Sequence, residues 1–93
     1  MSLLLKDPAA ILDYAVDWAA DYLDGDRIAQ SSWSVEPAEE GGAEIVANLV
    51  ESGAAIVKVG GGIPGHIYRL SNQVLLESGR EDRRSVVLRV EQR

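Results

Sequence analysis

The residues most suggestive of chemistry sit together at Gly60-Gly61-Gly62-Ile63-Pro64-Gly65-His66. The glycine spacing matches G-x-G-x-x-G, a pattern in which glycines let a pyrophosphate approach the start of a helix. Here Pro64-Gly65 leads into a strand pattern at Ile67-Tyr68, so no helix start stands ready for phosphate, and the segment is expected to be a mobile loop between strands. His66 is the only histidine and there is no cysteine, which excludes multi-histidine and thiolate metal sites and cysteine nucleophiles. No nucleophile elbow accompanies His66, and no catalytic residue is predicted. Asp21, Asp24 and Asp26 around Gly25 are oxygen ligands in type, but EF-hand spacing is absent and an Asp-Gly turn explains them. No metal or cofactor is expected. Tyr14, Trp18, Trp33 and Tyr68 would suit a stacking platform for a sugar or peptide; in a chain without phenylalanine they are expected to form the core.

The elements that would position these residues are short and strand-like. Tyr68, Leu70, Val74 and Leu76 alternate with polar residues, with Asn72 as the exception on the inward face, and Val86, Leu88 and Val90 alternate after the Ser78-Gly79-Arg80-Glu81 turn. These segments predict an antiparallel hairpin. A second hairpin is expected from Ala43–Val50 and Ala54–Val59 around Ser52-Gly53. Ile28–Val35 predicts another strand with a bulge, since Ile28 and Trp33 differ in parity. Residues 7–25 carry two patterns. Asp7, Pro8 and Gly25 frame a helix, whereas Leu12, Tyr14, Val16 and Trp18 alternate as a strand. Tyr68, just after a glycine-bearing corner, occupies the place of a tyrosine corner, whose hydroxyl ties the chain to backbone.

Ninety-three residues suffice for one domain, expected to span 1–93. The net charge of −6 argues against nucleic acid and anionic membranes as partners, and the Met1–Lys6 start is too short for a membrane span or a signal sequence. Charge is unevenly spread: residues 1–57 hold two bases and eleven acids, giving −9, while residues 58–93 hold seven bases and four acids, giving +3. Arg83, Arg89 and Arg93 share strand parity and are candidates for one outer face; Asp13, Asp17 and Glu44 are candidates for an opposing one.

Three blocks carry a resemblance. They are Lys6-Asp7-Pro8 with Leu12-Asp13-Tyr14-Ala15-Val16-Asp17-Trp18; Gly25-Asp26-Arg27-Ile28 through Ser32-Trp33-Ser34-Val35; and Gly61-Gly62-Ile63-Pro64-Gly65-His66-Ile67-Tyr68 through Asn72, continuing to Gly79-Arg80, Arg84 and Val90. In this order the chain resembles a family of small tailed-phage virion proteins described as fibre-tail adaptor-like. The middle departs from it, with Pro37–Gly42 and Ala43–Val50 replacing a stretch richer in Ser and Thr, and threonine is absent altogether. The resemblance implies an all-β, immunoglobulin-like antiparallel β-sandwich of about six or seven strands. It also implies strand over residues 11–18, no catalytic residues, other virion or tail proteins as partners, and a location in the virion or, before assembly, in host cytoplasm. A weak homo-oligomer is a further expectation from the divided charge. The competing expectation is a sugar- or ligand-binding sandwich with its site at Gly60–Gly65.

Overall fold

The computed structural model describes residues 3–20 and 25–92. The described residues form an all-β sandwich of seven strands: β1 (Leu3–Lys6), β2 (Leu12–Asp17), β3 (Ile28–Glu36), β4 (Ala43–Glu51), β5 (Ala54–Gly61), β6 (Ile67–Leu76) and β7 (Glu81–Val90). One sheet has the order β1-β7-β6-β3 and the other β2-β5-β4.

Both hairpins form where alternation and turn residues place them. In β6, Tyr68, Leu70, Asn72, Val74 and Leu76 are buried while Arg69 and Gln73 are exposed. Ser52 and Gly53, both at positive φ, make the tight reversal between β4 and β5, a geometry that matches the right-handed twist of the strands. The pairing of β3 with β6 shifts register between Ile28 and Gln30, which reconciles the opposite parities of Ile28 and Trp33.

The helix framed by Asp7, Pro8 and Gly25 does not form. Residues 12–17 are strand and Trp18–Ala20 is a single 3-10 turn. The pairing partner decides this, because β2 runs antiparallel along β5 from Leu12 opposite Val59 to Asp17 opposite Ala54, and that match selects the period of two. The sandwich is also not wholly antiparallel. Leu3–Lys6 adds beside β7 as a parallel edge strand, from Leu3 opposite Val87 to Lys6 opposite Val90.

Two apolar clusters fill the space between the sheets. One gathers Val57, Val59, Tyr68, Leu70, Leu88 and Val90; the other gathers Val16, Trp18, Ala55, Val74 and Leu76, and Trp33 packs against both. The loop expected at Gly60–Gly65 is shorter, with residues 62–66 connecting β5 to β6. Gly60 and Gly61 belong to β5, and Gly62 lies so close to Val90 that an added Cβ would stand 2.5 Å from its Cγ2.

Candidate functional site

Three sets of side chains join distant parts of the chain. Trp18, fully buried after β2, donates its indole N–H to Asn72 Oδ1 at 2.8 Å, and Arg84 lies 4.6 Å over its ring. Asn72, the polar exception of β6, completes its bonding through its amide nitrogen to Ser31 Oγ at 2.8 Å and the Ser32 carbonyl at 3.0 Å. A buried amide with such partners escapes the desolvation cost that an unpaired one would carry.

At the opposite end, the Tyr68 hydroxyl accepts the Ile63 backbone N–H at 3.1 Å and donates to Glu39 Oε1 at 2.5 Å. His66 Nδ1 reaches the same oxygen at 2.8 Å. Bonds from the Tyr68 hydroxyl and then the His66 ring hold the Glu39 carboxyl below its usual range, and burial followed by the bond to Glu39 pushes the Tyr68 phenol up. The side chain of Lys6, buried although charged, donates to the carbonyls of Asp7 at 2.9 Å and Gly61 at 2.6 Å, which clips β1 to the end of β5; burial pushes its ammonium pKa down.

The third set fastens the β6–β7 turn. Asp26 accepts from Ser78 Oγ at 2.5 Å and from the Arg27 N–H at 2.8 Å, with Arg80 Nη2 at 3.6 Å. The Ser78 hydroxyl, then the Arg27 N–H, lower its pKa. Asp26 is thus committed to a turn, while Asp21 and Asp24 lie outside the described residues. Among the described residues, no three His, Cys, Asp or Glu side chains converge as a metal site would require.

The sequence blocks singled out above therefore meet in space. Asp7-Pro8 follows the Lys6 clip, Trp18 finds Asn72, and Asp26 finds the Gly79-Arg80 turn. A family model for podophage GP4 fiber-tail adaptor protein gp77 matches residues 6–89. The chain belongs to this family. No curated protein matches it. The residues of this adaptor that link distant segments thus act as internal ties.

The surface charges have a different arrangement. Asp13, Asp17, Glu44 and Glu51 are exposed on the outer side of β2-β5-β4, where Lys58, 3.8 Å from Asp13, is the only base in these three strands. Between them lie Ala15, Ile56 and Leu49, neighbours in one row across the three strands, and Leu49 is 51% exposed. On the outer side of the other sheet stand Arg69, Arg83 and Arg89 together with the exposed Glu36, opposite Arg69, and Glu81, with Ile67 55% and Leu5 49% exposed beside them. Arg83 Nη2 touches Gln73 Oε1 at 3.3 Å and Arg89 Nε touches Glu91 Oε1 at 3.0 Å. Arg93 lies outside the described residues.

Of the four rings assigned to the core, Trp18 and Tyr68 are fully enclosed, whereas Tyr14 and Trp33 are half-buried. The Tyr14 hydroxyl and Trp33 Nε1 are buried without a hydrogen-bond partner among the described residues, and burial raises the Tyr14 pKa. Sequence reasoning missed Lys6 and Glu39. Nothing near Lys6 in sequence signals the carbonyl of Gly61, and the Pro37–Gly42 loop gives no local sign that Glu39 reaches Tyr68.

Proposed function

We propose that this fibre-tail adaptor is a non-enzymatic building block, one domain over residues 1–93, that acts in the virion by binding other tail proteins through the two outer faces of its sandwich. The observation that supports this most is the segregation of charge. Asp13, Asp17, Glu44 and Glu51 decorate one outer face against Lys58, whereas the other bears Arg69, Arg83 and Arg89 interspersed with Glu36 and Glu81, so the first face is acidic and the second mixed, each beside exposed aliphatic side chains.

An acidic face and an opposed face bearing three arginines fit a head-to-tail contact, in which the acidic face of one copy meets the arginines of the next and the series closes into a ring when the rotation permits. Exposed ion pairs contribute only about 0–1 kcal/mol each, so the charges chiefly set orientation while Leu49, Ile67 and Leu5 supply apolar contact. Self-association is therefore weak, and the stable assembly forms on tail partners, after a period in host cytoplasm. Sedimentation velocity across protein concentration and ionic strength tests this: the average mass should rise with concentration in low salt and fall as salt is added. A strict monomer at millimolar concentration in low salt, with no co-sedimentation on tail proteins, would refute it.

A further inference from the structure

We infer that the free edge of β4 is an acceptor site for an extended, basic segment of a tail protein, which adds to the three-stranded sheet as a further strand and sends side chains into the groove beside Trp33. This extends the assembly reading by naming the chemistry of one partner at one site.

β4 is the outermost strand of its sheet, bonded to β5 on one side and to no strand of the described residues on the other. Natural edges are commonly guarded by charged residues, proline, bulges or shortness. β4 runs nine residues as Ala-Glu-Ile-Val-Ala-Asn-Leu-Val-Glu without lysine or proline, and its one bulge, at Ile45–Ala47, and its glutamates, at Glu44 and Glu51, leave Ala47–Val50 regular, uncharged and open to pairing. Its aliphatic side chains are instead presented to solvent: Val46 is 50%, Leu49 51% and Val50 44% exposed, and the register shift between Ile45 and Ala47 turns Val46 outward. The other edges are less suited: β1 has four residues, β2 has six and ends in a 3-10 turn, and β3, although nine residues long, exposes Ala29, Gln30, Ser32, Ser34 and Glu36 and no large aliphatic side chain.

A groove of about 600 Å³ adjoins this edge where β3 and β4 face each other, lined by Trp33, Val35, Glu39, Glu40, Glu44 and Ile45. A strand laid along β4 continues its sheet over β3, so alternate side chains of that strand stand above this groove. An aromatic ring, two aliphatic walls and the carboxylate of Glu40, with Glu39 held by Tyr68 and His66 and Glu44 on the adjoining outer face, suit the long stem and cationic head of arginine or lysine. The same charges disfavour a second β4 as occupant, because antiparallel β4–β4 pairing gathers Glu44 of one copy and Glu51 of the other at both ends. The geometry thus selects a segment alternating basic and aliphatic residues, bound through its main chain.

The test is nuclear magnetic resonance titration of isotope-labelled protein with a capped nine-residue peptide alternating valine and arginine. Controls are the valine–glutamate peptide and the valine–arginine peptide N-methylated at alternate bonds. The basic peptide should shift and protect amides of residues 43–51 and shift the Trp33 indole N–H. Both controls, and the exposed-edge variant Val50→Lys with the basic peptide, should bind at least tenfold more weakly. Shifts confined to β3 or to the outer sheet faces, equal binding of the N-methylated peptide, or no shift at millimolar peptide would overturn the assignment. If the peptide fails while the intact chain still co-sediments with tail proteins, the β4 site is wrong and the assembly role stands.

Discussion

The Trp18 indole N–H and the Asn72 side-chain oxygen meet at 2.8 Å in the fully buried interior, joining the segment that follows β2 in one sheet to β6 in the other. This is a polar bond where two apolar sheet faces otherwise meet, and it sets their relative position through direction as well as contact. Trp18→Phe removes the donor together with the five-membered ring, leaving a buried acceptor one partner short and a small cavity beside it. A loss of about 1–3 kcal/mol is expected in chemical denaturation, and a W18F/N72A double-mutant cycle should show coupling. Additive effects of the two substitutions would mean that the bond contributes nothing beyond packing.

Tyr68, Glu39 and His66 form a latch between the β3–β4 and β5–β6 connections. Tyr68→Phe should lower stability by about 1–2 kcal/mol and let the Glu39 carboxyl return toward its ordinary value, readable from its side-chain carbon shift in a pH titration.

The sign of the pH dependence follows from the Glu39 and Asp26 carboxyls, both held below their ordinary values in the folded chain. Their contribution is fully present above the unfolded values, near 4.5 for Glu39 and 3.8 for Asp26, and is lost as pH falls through the lower folded values. Denaturation midpoints should therefore fall with pH below about 4.5. The fall should be shallower in the double variant Glu39→Gln, Asp26→Asn; an unchanged slope would place the acid sensitivity elsewhere.

Two glycines at positive φ separate backbone strain from crowding. An added Cβ at Gly62 would stand 2.5 Å from Val90 Cγ2, whereas at Gly65 nothing lies within 4 Å. Gly62→Ala should cost more than the roughly 1 kcal/mol expected of conformational strain alone at Gly65→Ala. Equal losses in thermal melts would contradict the close approach.

Much of the sandwich was legible because β6 and β7 each bury one face, which imprints a period of two at Tyr68–Leu76 and Val86–Val90. β1 left no such mark: Leu3-Leu4-Leu5 does not alternate, and its parallel partner β7 is at the far end of the chain. Gly60 and Gly61 were misread as loop because glycine serves equally in loops and in places where backbones crowd, and only the position of Gly42 distinguishes the two. Parity placed Asp13, Asp17 and Glu44 on one face and Arg83 and Arg89 on another; the uncovered β4 edge beside Trp33 depends on which strands end each sheet, and no local pattern encodes that order.

Assembly between the acidic face and the arginine-bearing face is tested most directly by exchanging the signs of the charges that meet. One variant carries Asp17→Arg and Glu44→Arg, the other Arg83→Glu and Arg89→Glu; all four side chains are exposed, so both should fold. In low-salt sedimentation velocity the wild-type chain should associate with rising concentration, each variant alone should remain monomeric, and an equimolar mixture of the two should associate again because every contact then pairs opposite charges. Variants that each sediment like wild type, or a mixture that stays monomeric while wild type associates, would contradict assembly through these faces.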